Sequence, residues 1–136
     1  MVSNRLRALL LLPVALLLMA ATPLVDPAPI PVPAGLDDKA VAKAIRLGGA
    51  QRGWIVTRQD PGAMELTLNI RTHMAKLGVK YDTQSIQLSY LDSTNLDYEV
   101  KKDNRYIHRN YPKWVNNLVN DITVQLALAQ SQAEGG

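Results

Sequence analysis

The feature that most constrains the fold is a regular alternation of apolar and polar residues along residues 64–90. Successive side chains of a β-strand point to opposite faces of a sheet, so this pattern gives one apolar face and one polar face. Turn-forming residues divide the region into four candidate strands, at residues 54–58, 64–71, 74–81 and 84–90. The pattern therefore predicts a four-stranded antiparallel meander with one face buried.

Two-residue turns, predicted at residues 72–73 and 82–83, set which apolar side chains lie opposite each other. Leu77 then faces Leu68 in the first hairpin and Leu88 in the second. A shift of the register by one residue would turn every one of these side chains to the other face, so the burial of one face constrains the pairing.

The inward face of the first strand depends on the length of the turn that follows it, and two lengths are possible. A three-residue loop after the strand puts Trp54 on the core face, whereas a tighter loop puts Ile55 there. We expect Trp54 to point inward, since burying it removes the larger area from water.

Two amphipathic helices flank the strands. The first begins at residues 37–38, where acidic side chains interact favourably with the helix dipole. The second begins with Asn110 as N-cap and Pro112 in its first turn, followed by a broad apolar stripe. The predicted fold is α+β with two layers: a helix, a four-stranded antiparallel meander and a helix, both helices on one sheet face. This domain spans residues 37–131, and residues 132–136 form a flexible tail.

The N-terminus has the layout of a signal peptide, which we assign to residues 1–21. Arg5 and Arg7 precede an uncharged, leucine-rich stretch at residues 8–21. As a helix this stretch is about 21 Å long, shorter than a bilayer core of about 30 Å. Cleavage would leave a periplasmic or secreted protein. The alternative is an inner-membrane anchor formed by residues 8–25, and membrane contact is expected only in that case.

Residues 22–36 are predicted to form a proline-rich linker. The segment contains five prolines, each without an amide hydrogen and with a fixed φ. Such a composition favours an extended, polyproline-like tether between the processing site and the domain.

Charge and residue types exclude several classes of function. Two of the three net positive charges come from the predicted signal peptide, so the remaining chain carries about +1 and lacks the basic footprint of a nucleic-acid-binding protein. The chain has no cysteine, which excludes disulfides, thiolate metal sites and a cysteine nucleophile. Two distant histidines, one of them at the predicted turn tip at His73, do not make a metal site. We predict no metal and no cofactor.

The segment of residues 91–111 has no clear period, which in a small domain indicates a functional loop or an undetected element. It is rich in tyrosine and arginine, which are typical anchors of protein interfaces. The candidate interaction residues are Tyr98, Arg105, Tyr106, His108, Arg109 and Tyr111.

The stretch I-H-R-N-Y-P-K-W-V-N-N-L, at residues 107–118, resembles a group of small exported proteins and lipoproteins of Gram-negative bacteria. The similarity covers most of residues 40–126. It implies a location in the cell envelope and carries over no catalytic residue. The chain departs from the lipoprotein members because it lacks the acylated cysteine.

These observations lead to two hypotheses about function. The first is a non-enzymatic interaction or assembly module of the cell envelope, which presents residues 91–111 to another envelope protein. The second is a small-ligand binder or minor hydrolase that uses His108, Tyr106 and Arg109, with Asp103 or Asp92 orienting the histidine. We predict no catalytic residue, because no nucleophile lies at an obvious spacing from His108.

Overall fold

The computed structural model describes residues 21–135, so the predicted signal peptide lies outside the described residues except for Ala21. The two helices are α1 (Asp38–Ala50) and α2 (Asn110–Gly135). The strands are β1 (Ala21–Pro23), β2 (Ile30–Pro31), β3 (Trp54–Asp60), β4 (Ala63–Ile70), β5 (His73–Tyr81), β6 (Ser85–Thr94), β7 (Glu99–Lys101) and β8 (Asn104–His108). They form a five-stranded sheet in the order β2-β6-β5-β4-β3 and a three-stranded sheet in the order β1-β8-β7, with antiparallel pairing throughout.

The predicted α+β class with antiparallel strands is confirmed. Strands β3 to β6 form the meander in chain order, and α1 and α2 flank it in the sequence. One core unites the apolar side of the meander with residues of both helices, including Leu66 and Leu77 of the sheet, Ile45 of α1 and Leu118 of α2. Neither helix within residues 21–135 is long and apolar enough to cross a bilayer.

The predicted register of the central hairpins is wrong by two residues. Leu77 faces Leu66 on one side and Tyr90 on the other. A displacement of two residues keeps every side chain on its own face, so the alternation alone could not detect it. The first turn instead uses residues 71–72, and Arg71 adopts a positive φ of 55° there.

The second turn is longer than predicted because Asp82 stabilises it. Its Oδ1 accepts hydrogen bonds from the backbone N–H groups of Gln84 and Ser85, at 2.8 and 2.9 Å. This local pattern, in which an aspartate caps the residues that follow it, is typical of Asx turns. The two hydrogen bonds also lower the pKa of the exposed Asp82 carboxyl.

The prediction that Trp54 points inward is confirmed, because only 2% of its surface is exposed. The turn after β3 is the tighter one, with Asp60 paired to Ala63, which by itself would put Ile55 inward. The register shifts by one residue between Val56 and Arg58. This shift exchanges the two faces for the residues before it, so Trp54 points into the core.

The two helices cross in close contact at Gly48. A Cβ atom at this position would lie 2.8 Å from the backbone of Ile122, so only glycine fits without a displacement of the helices. The start of α1 follows the prediction, with the Asp37 side chain accepting a hydrogen bond from the Ala40 N–H at 2.8 Å. Helix α2 runs to Gly135, whereas we expected a tail from residue 132.

Residues 22–36 are not a free tether, which corrects the predicted linker. Strand β1 pairs with β8, and β2 pairs with β6. Leu24, Ile30 and Leu36 are buried in the core. We call residues 21–36 the N-terminal strap, because this segment runs along the outer edges of both sheets.

The prolines explain why the strap occupies edges. A proline cannot donate to a strand ladder, so prolines in sheets are confined to edge strands. Both Pro23 in β1 and Pro31 in β2 lie at an edge. The proline content that suggested a tether therefore also fits an edge strand. Two apolar residues between the prolines, Leu24 and Ile30, are buried in the core.

Residues 91–111 contain regular structure of their own, one of the two alternatives left open by the sequence. Strand β6 continues to Thr94, and β7 and β8 form a hairpin that pairs with β1. Leu96 and Ile107 anchor the segment in the core.

We expect Ile30→Ala to lower the free energy of unfolding by roughly 2–4 kcal/mol, because it leaves a cavity at a buried position of the strap. The matched control is Val25→Ala in the same segment. Val25 is 81% exposed, so its truncation should change stability by about 0.5 kcal/mol or less. Urea unfolding of the two variants measures the difference. Equal, negligible effects would show that residues 22–36 are a tether after all.

Candidate functional site

The six candidate residues do not form one site. Tyr98 and Arg105 line the same cleft, and Tyr111 is buried close to it beside Tyr90. Tyr106 and His108 lie on the opposite face of β8 from Arg105, because side chains alternate along a strand. Arg109 is exposed in the turn before α2. The structure therefore divides the six residues into two groups. Tyr98, Arg105 and Tyr111 lie in or next to the cleft, whereas Tyr106, His108 and Arg109 lie outside its lining.

The carboxylate of Asp26 joins the strap to both sheets next to this cleft. Its Oδ1 accepts a hydrogen bond from the Tyr90 N–H in β6, at 2.9 Å. Its Oδ2 lies 3.5 Å from a guanidinium nitrogen of Arg105 in β8. Sequence reasoning missed Asp26, since its partners lie 64 and 79 residues away and no local pattern marks it.

Three tyrosines pack together at this junction. The rings of Tyr90 and Tyr98 are stacked, with centroids 4.5 Å apart and planes inclined by 18°. The ring of Tyr111 meets Tyr90 edge-on, at 5.8 Å. The Tyr90 hydroxyl shares a hydrogen bond of 2.7 Å with the hydroxyl of Ser93. These contacts fix the position of Tyr98, which remains 40% exposed.

Burial changes the acidity of two of these phenols. Removal from water raises the pKa of Tyr111 well above its usual value, and the nearby Asp26 carboxylate raises it further. Burial also raises the pKa of Tyr90, with its hydrogen bond to Ser93 acting in the opposite direction. Both phenols therefore stay neutral at physiological pH and act as packing groups and hydrogen-bonding groups, not as bases.

The cleft itself has a volume of about 530 Å³. We call it the tyrosine cleft, and its lining residues are Tyr90, Leu91, Asp92, Ser93, Asn95, Leu96, Asp97, Tyr98 and Arg105. Its rim carries exposed apolar surface, since Leu91 is 50% exposed. Leu91 is an extra residue in β6, because Leu77 pairs with Tyr90 and Lys76 pairs with Asp92. Such bulges re-aim side chains at the ends of strands.

A second aromatic cluster lies behind the cleft. The His73 ring is 6.4 Å from the His108 ring and 6.2 Å from the Trp114 ring, measured between centroids. His73 is half-buried at the start of β5, whereas we expected it in the turn itself. The sequence could not show this pairing, because it depends on the corrected register of β5 and on the path of residues 91–111.

The hydrogen bonds of the two imidazoles define which nitrogen carries the proton in each neutral ring. His73 Nδ1 lies 2.6 Å from the Asn95 carbonyl oxygen, so this nitrogen must donate. His108 Nδ1 accepts the backbone N–H of Asn110 at 3.1 Å, so this nitrogen is unprotonated. The ring of His108 therefore accepts a backbone N–H group at the start of α2 that has no partner within the helix. We had predicted Asn110 as the N-cap, but Asn110 is already part of the helix.

This arrangement bears on the catalytic and metal-binding possibilities. Among residues 21–135, no side-chain hydrogen bond joins His108 to Asp103 or Asp92, the carboxylates proposed to orient it. With Nδ1 of His108 accepting an N–H, its Nε2 carries the proton and is not free to bind a metal. Within the same residues, no three metal-binding side chains converge on one position. The histidines instead hold the loop of residues 95–97 and the start of α2.

Comparison with protein-family models, with curated proteins and with solved structures found no match to this chain. The resemblance of residues 107–118 to exported envelope proteins therefore stays a prediction.

Above pH 10, we expect stability to fall because of Tyr111. Its folded-state pKa is raised, so the unfolded chain releases the phenolic proton at a lower pH than the folded chain does. The contribution is constant below the usual pKa of 10.0 and is lost as the pH rises beyond it, at about 1.4 kcal/mol per pH unit. Tyr111→Phe should remove this part of the slope in urea unfolding, whereas Tyr106→Phe serves as control. Identical slopes for both variants would contradict the assignment.

Proposed function

We propose that this chain is an exported cell-envelope protein, periplasmic or secreted after cleavage, and that it acts as a non-enzymatic interaction module. The tyrosine cleft is the surface that binds a partner protein of the envelope. The single observation that carries the proposal is the stacked Tyr90–Tyr98 pair, which holds a partly exposed ring in place at the cleft.

Export is supported by the role of residues 22–25. A membrane anchor needs these residues to lengthen the apolar stretch that precedes them. Leu24 is instead buried in the domain core, and its N–H donates to the Arg105 carbonyl at 2.8 Å.

Partner binding is supported by the surface composition around the cleft. Tyrosine and arginine are enriched among residues that dominate binding energy, particularly where they are held rigid before binding. Tyr98 and Arg105 both line the cleft, and the exposed side chain of Leu91 adds apolar area at its rim. An ordered ring needs little further loss of conformational entropy on binding.

The second hypothesis, a small-ligand binder or minor hydrolase, uses His108, Tyr106 and Arg109. The hydrogen bond from Asn110 occupies Nδ1 of His108 and leaves the proton of the neutral ring on Nε2, so neither nitrogen is free to act as a base. Tyr106 and His108 also lie on the face of β8 opposite to the cleft. The geometry therefore favours the interaction module.

Intact mass spectrometry of the protein from envelope fractions tests export. The expected mass is that of a chain beginning at Ala21 or Thr22, as produced by signal-peptide cleavage. The mass of the chain beginning at Met1 in a membrane fraction would contradict cleavage and support the anchor at residues 8–25.

Photo-crosslinking in living cells tests partner binding. A photoreactive residue at Leu91, at the rim of the cleft, should give a discrete protein adduct. The matched control is Ile55, which has nearly the same exposure, 55% against 50%, at the opposite edge of the same sheet. Tyr98→Ala should reduce the Leu91 adduct by roughly tenfold or more, since it removes a residue typical of binding hot spots.

Adducts of equal yield at both positions would indicate non-specific contact, and no adduct at Leu91 would contradict the proposal. Thermal unfolding of Tyr98→Ala confirms that the variant still folds.

A further inference from the structure

The tyrosine cleft has a preorganised loop at one side, formed by residues 95–98. Leu96 is buried, and its carbonyl accepts the His108 N–H at 2.8 Å. The Asn95 carbonyl accepts from His73 Nδ1, and the Asn95 amide donates to Thr72 Oγ1 at 2.8 Å. The partners come from two separate parts of the chain, residues 72–73 and His108, so the loop is held in place before any partner protein arrives.

Several side-chain groups of the cleft already have partners within the protein. The Arg105 guanidinium lies beside Asp26, and the side-chain amide of Asn95 is bound to Thr72. The hydroxyls of Tyr90 and Ser93 bind each other. The groups that can meet a ligand include the carboxylates of Asp92 and Asp97 and the partly exposed ring of Tyr98.

Two features of the remaining surface favour a positive charge. Tyr98 is stacked on Tyr90 and still 40% exposed, and the face of a tyrosine ring is an electron-rich surface that cations prefer. Asp97, the adjacent residue, lines the same cleft, and no described residue within 21–135 forms an ion pair with it. The carboxylate and the ring together provide both a charge partner and a stacking surface.

The other charged groups near the cleft do not cancel this preference. Arg105 pairs with Asp26 at 3.5 Å, and two carboxylates, Asp92 and Asp97, line the cleft against this one guanidinium. Lys76 faces Asp92 across the sheet, but its amino group lies 3.7 Å from the Glu65 carboxylate. Asp92 itself accepts one hydrogen bond, from the Ser93 N–H.

We infer that the tyrosine cleft binds a cationic side chain, an arginine or lysine presented by the partner. The charge sits over the exposed face of Tyr98 and against the carboxylate of Asp97. This inference rests on the proposed interaction module and adds the chemistry of the partner to it.

The probe is a short peptide with one arginine between glycines, blocked at both ends, compared with the same peptide carrying citrulline. Citrulline has nearly the same shape and no charge. In a nuclear magnetic resonance titration of the domain, the arginine peptide should produce saturable shifts at the amides of residues 95–98. The citrulline peptide should produce none at the same concentrations.

Three variants test the named groups. Asp97→Asn and Tyr98→Leu should each weaken binding of the arginine peptide by roughly fivefold or more, because each removes one of its two contacts. The matched control is Asp103→Asn, which removes an exposed carboxylate in the β7–β8 turn, outside the lining of the cleft. It should leave the affinity unchanged.

Equal shifts with the citrulline peptide, or equal effects of the Asp97 and Asp103 variants, would overturn the inference. So would an absence of saturable shifts at residues 95–98. If an adduct still forms at Leu91 in cells, the proposed interaction module stands and only its charge chemistry is wrong. If the adduct is absent as well, the interaction module itself fails.

Discussion

The structure depends on the way the strap closes the exposed edges of its two sheets, and Asp26 is the residue that connects them. Strand β2 covers only two residues of β6, so the rest of that edge needs other partners. Asp26 accepts the Tyr90 N–H there and simultaneously pairs with Arg105 of the second sheet. Pro27 also lies along this edge, and its carbonyl accepts a hydrogen bond from the Gln87 side chain at 3.1 Å. An open edge is a template for unwanted strand pairing, and the strap removes much of that template.

The same junction positions the candidate site. Tyr90 receives the strap through its backbone and supports Tyr98 through its ring, so strap closure and cleft geometry share one residue. On the other side, His73 and His108 hold the loop that carries Asp97. A small domain with no disulfide thus fixes an exposed tyrosine by packing and hydrogen bonds alone. A preformed surface of this kind binds with less loss of entropy than a flexible loop would.

The sequence was sufficient for those parts of the fold that depend on local pattern. Alternation identified the meander and its buried face, and helical periodicity identified both helices. It was insufficient where the deciding contact is distant or where two alternatives bury the same residues. A two-residue shift at Leu77 leaves the buried face unchanged, and the phase of β3 depends on the irregularity after Val56. The contacts of Asp26 and His73 likewise join segments far apart in the chain, so no local signal identifies them.

Hydrogen exchange of the full chain tests most directly whether the strap is part of the folded domain. The Leu24 and Val32 amides donate to Arg105 and Gln84 carbonyls, at 2.8 and 3.0 Å. We predict that both amides, together with that of Tyr90, are protected from exchange along with the amides of β4 and β5. Exchange of the Leu24 and Val32 amides at the rate of an unstructured chain, while β4 and β5 stay protected, would contradict this account. The strap would then be a tether, and Asp26 could not connect the two sheets.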